Sequence, residues 1–205
     1  QMVGAAHFSQ LESGYFSMRL TDATPLQSGS IWFHETMNIR EGFETEFAFK
    51  LHSPSNECEL MHGTYTYCSS RGADGFAFVI QNDKSDAIGQ NGSGIGYHGI
   101  RNAVVVEFDT FCNNQLLDPF ENHVSVHACS GSGDCMSSSS HLSSVAQSVN
   151  LADISSGEHR AKIQYFPSLT SARITNATLE AYFHYAITAS FNQLWQHQGG
   201  VLCVY

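Results

Sequence analysis

The residues best suited to chemistry lie between Val104 and His123. There Val104-Val105-Val106-Glu107-Phe108-Asp109-Thr110-Phe111-Cys112-Asn113 is followed by Asp118-Pro119 and then Asn122-His123. Glu107, Asp109, Asn113, Asp118 and His123 thus fall within 17 residues, directly after an apolar run. The run reads as a strand, and on a strand alternate side chains share a face. Val105, Glu107 and Asp109 then point one way, while Val104, Val106 and Phe108 point the other way, into a core. The two carboxylate positions are about 6.6 Å apart at ~3.3 Å per residue, close enough to grip one cation between them. Asn113, Asp118 and His123 return from the following loop to complete a ligand sphere.

The donor types narrow the choice of ion. Asp, Asn and a backbone carbonyl are hard oxygen donors of the kind Ca²⁺ collects. Glu and Asp joined by a histidine nitrogen suit a borderline divalent ion such as Mn²⁺ or Zn²⁺. Asp109 and Asp118 can each bridge, so the segment has donors for two ions side by side. Taken singly, Glu107 and Asp109 fit a solvated strand face, and His123 fits an ordinary surface histidine. Taken together, two carboxylates beside a triple-valine strand need something to neutralise them.

The elements that must hold these residues show mainly as period-two patterning. In Phe43-Glu44-Thr45-Glu46-Phe47-Ala48-Phe49-Lys50-Leu51 the odd positions are mostly apolar and the even ones mostly polar, the mark of a half-buried antiparallel strand. Tyr15–Leu20, Ser30–His34, Gly75–Gln81, Ala103–Thr110, His123–His127 and Arg160–Phe166 also read as strands, with Gly, Ser, Asn and Pro between them. Many short strands joined by turn-rich connections imply an all-β sandwich. Residues 168–198 break the pattern and carry a potential helix around Ala177–Trp195, before a final strand at Val201–Tyr205.

Bulk composition agrees. The chain has 205 residues, enough for one domain with a sizeable core, and no apolar run approaches the ~18 residues of a membrane span. Nine Lys+Arg stand against 19 Asp+Glu, a net charge of −10, which repels nucleic acid and favours cations. Six cysteines are present. Cys129 and Cys135 bracket a Ser/Gly loop, and Cys58 and Cys68 bracket another; each is read as a disulfide pair, while Cys112 and Cys203 have no assigned partner. Neither pair has the spacing of a zinc knuckle. Two glycosylation sequons, Asn91-Gly92-Ser93 and Asn176-Ala177-Thr178, join the cysteines in favouring an oxidising, extracellular setting. No signal peptide is visible at Gln1.

Competing motifs are weaker. Gly94-Ile95-Gly96-Tyr97-His98-Gly99 matches a dinucleotide fingerprint, which requires a helix to follow; here a strand follows. Glu107-Phe108-Asp109 has the opening of a β-sandwich glycosidase motif, but the position of the second carboxylate is Cys112, so the acid/base partner is missing. No strained elbow supports a serine triad. His123 and His127 are i, i+4 on a strand, ~13 Å apart along the backbone, and so do not chelate one ion as a helical pair does.

Ala73-Asp74-Gly75-Phe76-Ala77-Phe78, the glycine-rich segment and the Glu107–His123 pattern together resemble the legume-type (L-type) lectins. The likeness is nearest to bacterial and protist members, which often carry a strand like Asn122-His123-Val124-Ser125-Val126, and it covers roughly residues 8–166. The resemblance implies a concanavalin-like jelly-roll sandwich of antiparallel sheets with a two-metal site beneath a shallow sugar pocket. Carried over by position, the Ca²⁺ ligands are Asp109, the Phe111 carbonyl, Asn113 and Asp118; the Mn²⁺-type ligands are Glu107, Asp109, Asp118 and His123. The resemblance also implies sugar contacts from Asp74, from a Gly94 N–H, from the Phe111 ring and from the Asn113 amide. In such proteins the metals do no chemistry on the sugar; they fix the loop that binds it.

Two departures qualify the likeness. Relatives continue beyond the strand resembling Val201–Tyr205, so the sheets are expected to be incomplete at the C-terminal end. About thirty residues, 168–198, stand as an insertion where relatives turn directly. The expectation is therefore a single domain over 1–205 that is a secreted, non-enzymatic, metal-dependent glycan-binding protein. The alternatives are a structural or adhesive subunit of an extracellular assembly, homo-oligomeric or larger, and, more remotely, a glycoside hydrolase.

Overall fold

A computed structural model describes residues 1–10, 14, 16–39, 42–52, 55–61, 65–71, 74–119, 122–128, 135–148, 157–165 and 201–204, with the backbone alone for 55–61, 65–71, 148 and 201–204. The elements are strands joined by turns and short 3₁₀ segments. Strands β1 (Met2–Gly4), β2 (His7–Gln10), β3 (Phe16–Arg19), β4 (Gly29–Trp32) and β5 (Phe43–Lys50) come first. Next come β6 (Ser55–Met61), β7 (Tyr65–Arg71), β8 (Gly75–Gln81), β9 (Ala103–Asp109) and β10 (His123–Ala128), then β11 (Ser144–Ser148), β12 (Glu158–Tyr165) and β13 (Val201–Val204).

One seven-stranded sheet runs β1-β4-β13-β8-β9-β10-β11, antiparallel at each pairing, and the remaining strands pair two by two as β12-β5, β2-β3 and β6-β7. The all-β antiparallel sandwich expected from the period-two pattern is what forms. β13 lies between β4 and β8, where it meets Gly29–Trp32 on one side and Phe76–Val79 on the other. The potential helix at Ala177–Trp195, and the rest of the 168–198 insertion, lie outside the described residues.

Two cores occupy the two faces of the large sheet. On one face Phe76, Ile80, Val104, Val106, Phe108 and Val126 pack against Phe43, Phe47, Phe49, Ile163 and Tyr165 of the β5-β12 layer. Rings dominate: Phe76 stacks on Phe108 at 4.5 Å, and Phe47 on Phe78 at 6.0 Å. On the other face Trp32, Ala77, Val79, Ala103 and Val105 are covered by Ala87, Ile95, Tyr97 and Ile100. That cover is the segment between β8 and β9, folded over the sheet. The Gly89 N–H donates to the Gly96 carbonyl at 2.7 Å, and the Ser137 N–H to the Ile100 carbonyl at 2.8 Å. The glycine-rich segment is therefore a lid with no helix after it; β9 follows, as the rejection of a dinucleotide site required.

The segment bracketed by Cys58 and Cys68 differs from its sequence reading as a loop. It is the β6-β7 hairpin, with Cys58 directly opposite Cys68. Polar-rich strands lack the apolar alternation that makes a strand visible, so the cysteines were legible and the hairpin was not.

Candidate metal centre

Cross-strand pairing assembles the centre. On antiparallel strands, residues directly opposite share a face. Asp109 pairs with His123 and Glu107 with Ser125 across β9-β10, while Val105 lies opposite His127. Glu107, Asp109, His123, Ser125 and His127 therefore project from one face, beneath the Tyr97 lid. Val104, Val106 and Phe108 face the aromatic core instead, as strand alternation dictates. Glu107 is 1% exposed, Asp109 2% and His123 0%.

Glu107 is held on every side. The Tyr97 hydroxyl donates to Glu107 Oε2 at 2.6 Å, and the Ser125 hydroxyl donates to Oε1 at 3.0 Å. Since Ser125 has spent its only proton, the 2.7 Å contact from His127 Nε2 to Ser125 Oγ requires the proton on that nitrogen. His127 Nε2 also lies 3.4 Å from Glu107 Oε1, and His123 Nε2 lies 3.8 Å from the same oxygen. The ~13 Å backbone separation expected between the two histidines does not keep them apart, because both rings lean toward one carboxylate on the neighbouring strand. Burial alone would raise the Glu107 carboxyl, but the bonds and charges of His127, Tyr97 and His123 prevail and hold it below its ordinary range. Burial, then the Glu107 charge, push the Tyr97 hydroxyl well above its ordinary range.

Asp109 is the opposite case. Burial, followed by the charges of Glu107, Asp118 and Asp74, drives its carboxyl up to about 9, against the pull of a 2.7 Å hydrogen bond from the Phe111 N–H. His123 Nε2 stands 3.9 Å from Asp109 Oδ2. Asp118 is likewise raised by burial, despite a 2.6 Å bond from the Asn113 N–H. Inside a protein such crowding of carboxylates is relieved either by taking up a proton or by a counter-charge.

The turn after β9 returns Asn113, Asp118 and His123 to this spot. Asn113 is buried, and its Oδ1 makes no hydrogen bond. Leu117 (φ 65°) and Asn122 (φ 54°), which immediately precede Asp118 and His123, adopt left-handed backbone, strain that the fold holds beside a site. Glu107, Asp109 and His123 each offer a ligand atom, all within 4.8 Å of one another; Asp118, His123 and His141 do the same. The donor set fits a divalent cation: buried carboxylates in excess, an imidazole, and an orphaned amide oxygen.

Asp74 joins the centre through β8. Gly75 lies opposite Asp109 with φ +126°, and a Cβ there would collide with the Phe108 carbonyl oxygen. Only glycine permits this approach. It sets the Asp74 carbonyl to accept the Thr110 N–H at 3.1 Å, and burial raises the Asp74 carboxyl. Asp74 and Phe111 are half-buried. Gly94 is buried and closes a 3₁₀ turn, its N–H donating to the Asn91 carbonyl at 3.3 Å, so a ligand there would compete with that bond. The Cys112 thiol lies 3.8 Å from the Asp118 carbonyl. No carboxylate stands at that position.

The sequence reasoning missed Tyr97, Ser125, His127 and His141. Ser125 and His127 could have been found from the alternation of β10, which puts them on the face of His123. Tyr97 and His141 come from loops, and no spacing rule places a loop residue.

The chain matches the family model described as the legume lectin beta-barrel domain over residues 1–198. Solved structures of similar fold include lectin I-B4 from Griffonia simplicifolia in its metal-free form, with 19% identity, a TM-score of 0.52, and coverage of 80% of this chain and 66% of that one. The present chain thus spans just under two thirds of that lectin. Peanut lectin bound to a peptide gives 16% identity, a TM-score of 0.60, and coverage of 99% and 82%. The winged bean acidic lectin in complex with methyl-α-D-galactose gives 20% identity, a TM-score of 0.58, and coverage of 100% and 82%.

Proposed function

The chain belongs to the legume-type lectin family, and from that premise we propose that it is a non-enzymatic lectin binding glycans through a metal-dependent site. The observation that supports the reading is the buried cluster of Glu107, Asp109 and His123, with Asp118 beside it and the unbonded Asn113 Oδ1 in the returning turn. Asp109, the Phe111 carbonyl, Asn113 and Asp118 would hold Ca²⁺; Glu107, Asp109, Asp118 and His123 would hold a transition metal, with Mn²⁺ the first candidate. Bound cations would supply positive charge to this cluster of carboxylates.

The chain's own residues do the rest. Asp74 is an acceptor for sugar hydroxyls, backed by its carbonyl bond to Thr110. Asn113, whose Oδ1 makes no hydrogen bond and would be free to hold the metal, would present its amide N–H₂ as a donor. Phe111 offers an apolar face to the C–H side of a sugar ring, and the Gly94 N–H would add a backbone donor only by giving up its turn bond to the Asn91 carbonyl. Glu107 is locked between Tyr97 and Ser125 and does not act as an acid or nucleophile.

A single domain over 1–205, secreted, glycosylated and disulfide-bonded, completes the proposal. Asn91 is exposed at its sequon, and the register placing Cys58 opposite Cys68 supports that disulfide. The Cys129–Cys135 pairing and Asn176 involve residues outside those described. No helix among the described residues is long and apolar enough to cross a membrane. The runner-up, a structural subunit of a homo-oligomeric or larger assembly, would keep the metal and bind no sugar.

The test is a glycan array probed before and after chelation and again after Ca²⁺ and Mn²⁺ are restored. Binding that is lost and then recovered supports the lectin. A folded, metal-loaded sample that binds no glycan rejects it in favour of the subunit.

A further inference from the structure

We propose that His141 is an additional protein ligand of the transition-metal position, giving that position two imidazoles and a preference for Zn²⁺-like ions over Mn²⁺. The inference rests on the reading above that Glu107, Asp109, Asp118 and His123 hold a divalent ion. The resemblance to lectins supplied one nitrogen ligand, His123, and did not include His141.

Three observations place the second imidazole. Asp118, His123 and His141 each offer a donor atom within 4.8 Å of the others, and His123 is shared with the Glu107–Asp109 group. His141 Nδ1 is buried and makes no hydrogen bond, so a good donor atom is withdrawn from water with nothing to satisfy it. The ring is also held in place: it meets His123 edge-on at 5.5 Å and 81°.

The backbone shows why His141 arrives here. It opens the 3₁₀ turn His141–Ser143, which leads directly into β11. β11 pairs with β10 so that Gln147 lies opposite Ser125, two residues from His123. The Ser144 hydroxyl donates to the His141 carbonyl at 2.7 Å and anchors the turn. Two nitrogens among carboxylates move a site away from the oxygen-rich sets that suit Mn²⁺ and toward Zn²⁺, Ni²⁺ or Cu²⁺.

The test uses the full chain stripped of metal and reloaded with single ions. Electron paramagnetic resonance of the Cu²⁺ form counts coordinated nitrogens: two are expected in the native chain and one in His141→Ala. Competition with a chromophoric chelator gives the Zn²⁺ and Mn²⁺ affinities. His141→Ala should weaken Zn²⁺ at least as much as the roughly 10–100-fold seen on losing an outer partner, and Mn²⁺ far less. His141→Gln serves if the alanine variant fails to fold, and the native nitrogen count needs no variant. One nitrogen in the native chain, or an unchanged Zn²⁺/Mn²⁺ ratio in the variants, overturns the proposal. Glycan binding by the same samples separates the two readings. Two nitrogens without glycan binding would leave His141 a ligand and reject the lectin. One nitrogen with intact glycan binding would do the reverse.

Discussion

The two faces of β9 share one backbone and differ in almost everything else. On one side Val104, Val106 and Phe108 meet the phenylalanine-rich layer, where Phe76 stacks on Phe108. On the other, Val105 is followed by Glu107 and Asp109, buried as deeply as the valines. The apolar face is complete as it stands, because burial itself stabilises it by roughly 25 cal/mol per Å². The polar face is half complete. Glu107 has donors from Tyr97 and Ser125, while Asp109 is pressed up to about 9 by burial and its acidic neighbours. Alternation along one strand thus lets a rigid hydrophobic base hold a cluster of charge that would not stay together alone.

The comparison can be broken most severely from its apolar side. Phe108→Ala should cost about 3–5 kcal/mol, read from the denaturant midpoint, and the loss should be the same with and without chelator. A loss that depends on metal would mean the two faces are not independent.

Removing the ions is the next largest effect. A cation at 100 times its dissociation constant stabilises by roughly 2.7 kcal/mol, so chelation should lower the melting temperature by several degrees. Phe108→Ala should leave that difference in place, whereas Glu107→Gln should erase it.

Asp109→Asn sharpens the contrast by moving two readouts in opposite directions. Metal binding should be lost, while the metal-free protein gains on the order of 1–3 kcal/mol as the repulsion goes. The same carboxyl sets a pH profile. Its folded value of about 9 lies above the unfolded value of about 4, so folding takes up a proton between them. The metal-free native chain should therefore lose stability as pH rises from about 4 to about 9, and Asp109→Asn should flatten that slope.

The smallest effect belongs to the turn. Leu117 is exposed and left-handed, so Leu117→Gly should be neutral or stabilising by up to about 1 kcal/mol. A large loss would show that the leucine side chain itself holds the loop.

Much of this contrast was legible in the sequence, because strand alternation is a local rule. It assigned Glu107 and Asp109 to one face and Phe108 to the other. The spacing through Asn113, Asp118 and His123 marked the returning turn. What alternation cannot supply is contact between segments distant in the chain. Tyr97 reaches Glu107 because the β8–β9 connection folds over the sheet, and His141 reaches His123 because β11 pairs beside β10. The β6-β7 hairpin was missed for the converse reason, since its polar residues gave no alternation to read. Gly94 was assigned from the resemblance, and its N–H closes a local turn.

The most direct test titrates glycan affinity against free Ca²⁺ and Mn²⁺ for the native chain and Asp74→Ala, using a sugar identified on the array. The account predicts that affinity in the native chain rises with metal occupancy and vanishes on chelation. Asp74→Ala should still take up metal yet bind no sugar. Sugar binding that survives chelation, or that persists unchanged without the Asp74 carboxylate, would contradict it.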